Sequence, residues 1–121
     1  MVLDLNGKRP IVVVFFQTGA GNEPVRTWLQ GLPKDERKAI GEDILTAQFA
    51  WPVGKPLVDS FGGGLWEIRS NLKGKIARML FIFHDEEIVL LHGFIKKDRK
   101  TPKPDLDLAK KRMKQYLQGH E

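Results

Sequence analysis

Apolar and polar residues change rhythm several times along the chain, and each rhythm predicts an element. Ile11–Gln17 (IVVVFFQ) follows a turn at Asn6–Pro10. Its β-branched, aromatic run predicts a strand buried on both faces, with a central place in a sheet. Thr18–Asn22 is a loop. Pro24, behind Glu23, then opens a short helix anchored by Trp28 and Leu29 and ended by Gly31. Pro33–Phe49 is the longest helical stretch. Ile40, Ile44, Ala47 and Trp51 keep to one face, Asp35 and Glu36 complement the dipole at the start, and Trp51–Pro52 stops the helix. Pro52–Gly64 predicts a connecting loop, with Gly62–Gly64 making a sharp turn where no side chain fits.

The densest pattern lies between Leu65 and Lys97. Three strand-like runs, Leu65–Ser70, Ile76–Phe83 and Ile88–Ile95, are separated by turns at Asn71–Gly74 and Asp85–Glu87. The first alternates, with Trp66 and Ile68 on one face and Glu67 and Arg69 on the other. The second is apolar apart from Arg78 near its start. Turns this short predict an antiparallel meander. Asp98–Pro104 is a basic turn punctuated by prolines. A final helix runs from about Asp105 to Gln118, closed by Gly119, with Ala109, Met113, Tyr116 and Leu117 on one face. The expected fold is α+β, one domain over residues 1–121. A small, mostly antiparallel sheet (the N-terminal strand plus a three-stranded meander) carries two helices after the first strand and one C-terminal helix, all packed on one face.

Composition narrows the function. A chain of 121 residues builds one modest core. The absence of cysteine excludes a disulfide framework and a thiolate metal site. No apolar run approaches the roughly 20 residues of a membrane span, and the N-terminus lacks an apolar signal-peptide core. A cytoplasmic protein with no membrane partner is expected. The net charge is +5, but Lys96–Lys114 alone holds nine basic residues against three acidic ones, leaving −1 for the rest. A basic end on a near-neutral body points to a polyanionic partner or to a solvated helix face.

Several chemistries drop out. His84, His92 and His120 lack metal-ligand spacing, so no metal or cofactor is expected. Ser60 and Ser70 have no nucleophile elbow, and the glycine run lacks the Lys-Ser/Thr ending of a phosphate loop. What remains is cationic: Arg69, Arg78, Lys96, Lys97, Arg99 and Lys100, at or near the ends of strands about 4.8 Å apart. Lined along one face, they suit a phosphodiester, whose oxygens take arginine forks and whose transition state gathers negative charge. Lys100 and Lys103 read equally well as surface charges. His92, placed on a face with Leu90, Phe94 and Lys96, is a buried structural histidine or a catalytic one. Glu67 is a salt-bridge partner of Arg69 or a base. Tyr116 sits by helical phase at the core edge, with a hydroxyl able to reach a base or ribose.

These motifs together resemble the RelE/ParE toxin superfamily, in its HigB-like, phage-derived branch. The resemblance rests on Leu65–Arg69 (LWEIR), the Arg78-started apolar strand, Leu90–Lys97 (LLHGFIKK), Thr101–Pro102 and the basic helix Ala109–Tyr116. It implies the toxin of a type II toxin–antitoxin system, a metal-independent mRNA endoribonuclease that acts at the ribosome. In such enzymes the ribose 2′-hydroxyl attacks the adjacent phosphate. Arg69, Arg78 and Lys97 match catalytic basic positions of the family, Arg78 that of the phosphate-binding arginine. Lys96, Arg99, Lys100, Lys103 and Tyr116 are then expected to contact RNA. Glu67 stands where RelE itself has a proton-transferring lysine, so Glu67, His92 and a lysine all stay open as general base. The resemblance also implies a HigA-like helix-turn-helix antitoxin, with operator DNA bound through it. The alternatives are a ParE-like toxin of a protein target such as DNA gyrase, and a non-catalytic nucleic-acid-binding module.

Overall fold

The computed structural model describes residue 7 and residues 9–98 and 100–120; the expectation for Arg99 lies outside the described residues. The element order is β1 (Val12–Phe15), α1 (Pro24–Gln30), α2 (Lys34–Ala50), β2 (Val58–Gly62), β3 (Leu65–Leu72), β4 (Lys75–His84), β5 (Glu87–Lys96) and α3 (Lys103–Gly119). The α+β class and the β3–β4–β5 meander are as expected. The sheet has five strands rather than four, in the order β1-β5-β4-β3-β2. β1 pairs in parallel with β5 and the other pairs are antiparallel.

Three differences from the sequence expectation matter. β2 falls inside the predicted Pro52–Gly64 loop; its sequence, VDSFG, becomes a strand by pairing with β3 at the sheet edge. β1 sits at the opposite edge rather than centrally, with Val12 57% exposed. The helices cover both faces of the sheet, not one. α1 and α2 bury Val25, Ile40, Ile44 and Ala47 against Ile68, Met79, Phe81 and Leu90. α3 buries Ala109 and Tyr116 against Leu65, Leu80, Ile82, Val89 and Leu91. Every apolar run of the meander thus meets a helix on each side, which is why β4 reads as continuous hydrophobics.

Two backbone features set the site. Asp85 (φ 49°) and Glu86 (φ 62°) form the left-handed, two-residue hairpin between β4 and β5. Further along, Leu80 pairs with His92 but Phe81 pairs with Leu90, so Leu91 is an extra residue in β5. This bulge puts Leu90 on the α2 side and both Leu91 and His92 on the α3 side. The expectation that His92 shares a face with Leu90 is corrected for that reason.

Gly93, next to the bulge, lies directly under the Trp28 indole, and a Cβ there would fall inside contact distance of the ring. Gly93→Ala is expected to cost about 1–3 kcal/mol through overpacking. A urea titration checks it; an unchanged midpoint would show that Trp28 moves aside freely.

Candidate functional site

The pleat decides which side chains can meet. In β3, Glu67 and Arg69 point to the α3 side, as their alternation with Trp66 and Ile68 predicts. Arg69 is directly opposite Arg78 of β4, and Arg78 is opposite Phe94 of β5. Two arginines facing each other across adjacent strands repel unless a carboxylate lies between them. Glu67 fills that role. Its Oε1 accepts from Arg78 Nη1 at 2.6 Å and from Arg69 Nε at 2.9 Å.

The same carboxylate reaches the connection that follows β5. Thr101 Oγ1 donates to Glu67 Oε2 at 2.6 Å, and Arg78 Nη2 donates to the Asp98 carbonyl at 2.7 Å. Glu67 and Arg78 are both fully buried. Arg69 is about one-third exposed and also reaches Asp59 of β2 at 3.3 Å. The result is a charged interior knot that ties β2, β3 and β4 to the β5–α3 connection. Arg78 Nε has no partner among the described residues. In this arrangement Arg78 presents no guanidinium surface to an outside phosphate, and Glu67 has no exposed oxygen.

His92 lies on the same side of the sheet. Its Nε2 is 2.7 Å from Asp105 Oδ1, in the first turn of α3, and its ring stacks on Phe94 at 5.4 Å. A carboxylate that holds one ring nitrogen fixes the orientation of the imidazole. Arg112 completes this strip by donating to the Leu91 carbonyl at 2.9 Å, the group freed by the bulge, with burial lowering its pKa.

Exposed cations gather at this end of the sheet. Lys96 and Lys97 end β5, Lys100 follows, and Lys103 opens α3; all four are exposed. Lys96 lies opposite Ile76, next to the β3–β4 turn with its exposed Lys73. Among the described residues only Lys103 of these five has a carboxylate partner, Asp107 at 2.9 Å.

Tyr116 is elsewhere. It lies 13 residues beyond Lys103 in α3, about 20 Å along the axis, where it stacks on His120 at 3.8 Å and meets His84 edge-on. Burial, then Glu87 and Asp85, push its hydroxyl above the ordinary tyrosine value. The fold thus favours the neutral phenol, a contribution complete below about pH 10 and lost as pH rises through the raised value. Tyr116→Phe is therefore expected to lose less stability than the parent between about pH 9 and pH 11 in denaturant titrations; parallel curves would refute the assignment.

Sequence reasoning missed Asp59, Thr101 and Asp105 as site members. Each is remote in sequence from the group it holds, and the sole local signal was the clustering of Thr101 and Asp105 around a proline-rich turn. No helix among the described residues is long and apolar enough to cross a membrane. No group of three or more His, Asp or Glu among them is placed to hold a metal ion.

Residues 27–114, well over half of the chain, match the model of a family described as Phage derived protein Gp49-like (DUF891). No curated protein matches the chain.

Proposed function

The chain belongs to the phage-derived Gp49-like family, within the RelE/ParE-like toxins, and on that premise we propose that it is a toxin that binds and cuts messenger RNA. The observation that carries this reading is the exposed cationic end. Lys73, Lys96, Lys97, Lys100 and Lys103 are exposed at the end of the sheet where β3 turns into β4 and β5 leads into α3, the same end that holds the partly exposed Arg69, and α3 begins there with the His92–Asp105 pair. Four of these lysines, Lys73, Lys96, Lys97 and Lys100, have no carboxylate partner among the described residues, and such cations follow a phosphate backbone and offset the charge that develops as a 2′-hydroxyl attacks phosphorus. His92, held by Asp105, supplies an imidazole for proton transfer. Arg78, with Glu67, serves as the anchor of the connection that carries Lys97 and Lys100, rather than as the group that meets RNA. In the cell, a helix-turn-helix antitoxin would hold the activity in check, and the ribosome would present the message.

A second reading has its own support. Both arginines that the family resemblance places at catalytic positions, Arg78 at that of the phosphate-binding arginine, are engaged by Glu67, which favours a toxin that binds a protein target such as DNA gyrase. Induced expression in a bacterial host, with growth followed and messenger RNA 5′ ends mapped, separates the two. Arrest with new ends inside translated codons is the expected result. Arrest without new ends would overturn the nuclease reading in favour of a protein target. Unimpaired growth would overturn the toxin reading altogether.

A further inference from the structure

On the outer side of α3, away from the charged knot, a groove of about 630 Å³ runs between the helix and the β2–β3 turn. Its helical wall is Lys110, Met113, Lys114 and Leu117, spaced as one face of α3. Its other wall is Phe61 with Gly62 and Gly63, and its floor includes the buried Leu65. Phe61 and Leu117 are 38% and 36% exposed, two of the five exposed large apolar side chains among the described residues. Gly62 and Gly63 have φ of +82° and +63°, and a Cβ on either would meet nothing within 4 Å. The turn therefore leaves one side of the groove bare, and the left-handed backbone keeps it so.

Charge gives the groove its selectivity. Leu108–Gln118 holds Lys110, Lys111, Arg112 and Lys114 and no carboxylate. Lys110 and Lys114 are exposed, and neither forms an ion pair among the described residues. An apolar trough whose rim carries one sign of charge complements a segment with an apolar stripe between carboxylates. Phe61 is the sole aromatic in the lining, so the trough offers no run of stacking platforms for successive nucleobases. Met113 adds a side chain that adapts to a partner's packing.

We propose that the groove between α3 and the β2–β3 turn is the docking site for an acidic amphipathic helix of a partner protein. The partner's leucine-type residues at i, i+3, i+4 and i+7 enter the trough between Phe61 and Leu117, and its glutamates or aspartates pair with Lys110 and Lys114. The proposal does not depend on RNA cleavage, because binding is read without RNA.

The test uses a labelled helical peptide of about 18 residues, long enough for five turns, with leucines on one stripe and glutamates elsewhere. A twin carries lysine in place of every glutamate. Fluorescence anisotropy with the whole chain is expected to show saturable binding of the glutamate peptide and at least tenfold weaker binding of the lysine twin. Phe61→Ser is expected to weaken the glutamate peptide about tenfold, and Lys110→Glu with Lys114→Glu to reverse the preference. Lys38→Ser, on the exposed side of α2, is the reference variant and is expected to change neither. Circular dichroism melting confirms that each variant is folded. Several results would overturn the proposal: no saturable binding, equal binding of both peptides, displacement of the peptide by a short single-stranded RNA, or a dimer in sedimentation that Phe61→Ser dissolves. The last two would assign the groove to nucleic acid or to a second copy of the chain.

Discussion

Glu67→Ala is expected to lower the unfolding free energy by about 3–5 kcal/mol, a large part of the stability of a domain this size. The reason is the arrangement around Arg78. Its guanidinium is fully buried, and its partners are Glu67 Oε1 at 2.6 Å and the Asp98 carbonyl at 2.7 Å. Without the carboxylate, a full positive charge stays in the interior with a single neutral acceptor. Thr101 loses its acceptor at the same time, and Arg69 keeps only Asp59. In urea, with a slope of roughly 2 kcal/mol/M, the midpoint is expected to fall by about 2 M. Glu67→Leu combined with Arg78→Met removes both charges and is expected to recover most of the loss. A loss below about 1 kcal/mol for Glu67→Ala would mean that water reaches the pair. Glu67→Gln keeps the shape and an acceptor oxygen. A folded Glu67→Gln protein with normal RNA cleavage would rule out Glu67 as the general base, whereas a folded but inactive one would restore that role.

The largest effect on function is expected from neutralising Lys96, Lys97, Lys100 and Lys103 together to glutamine. All four are exposed, so stability should move by little, about 0.5 kcal/mol or less per position. Binding to single-stranded RNA should change far more. Each phosphate contact releases about 0.7 of a counterion, so the slope of log affinity against log salt should fall by about three. Toxicity in an expressing host should fall with it. Lys34 and Lys38, exposed on α2, which packs on the opposite face of the sheet from α3, serve as the comparison and should leave the slope in place. An unchanged slope in the four-lysine variant would remove the cationic end from the RNA-binding surface. The measurement also separates charge from fold, which Arg78→Ala does not, because Arg78 supports the connection that carries two of these lysines.

Much of the architecture was legible from residue patterns. The period of β3 placed Glu67 and Arg69 on one face, and Ile40, Ile44 and Ala47 fell on the buried face of α2. Gly62–Gly64 marked a sharp turn because left-handed backbone has few tenants, and the polar Asp85–Glu87 marked the β4–β5 turn, in which Asp85 and Glu86 take left-handed backbone. The boundaries slipped where proline misled: α3 starts at Lys103, with Pro102 as cap and Pro104 inside its first turn, rather than at Asp105. β2 was illegible because VDSFG has no strand pattern of its own and owes its state to the neighbouring strand.

The sequence by itself determined which residues seek the interior, where the turns fall and where positive charge collects. Those are consequences of local periodicity, backbone sterics and composition, each confined to a few neighbouring residues. The tertiary structure alone decided what the charges do. A one-residue bulge at Leu91 turned His92 towards Asp105, 13 residues on. The strand register set Arg69 against Arg78, and the fold brought Thr101 to Glu67 across 34 residues. With α3 on the second face of the sheet, Glu67 and Arg78 were sealed from water. A charge has no preferred partner in a linear pattern. It gains one when packing removes the solvent that would otherwise screen it, and so Arg78 became an internal anchor while Lys96, Lys97 and Lys100 beyond it have no carboxylate partner among the described residues.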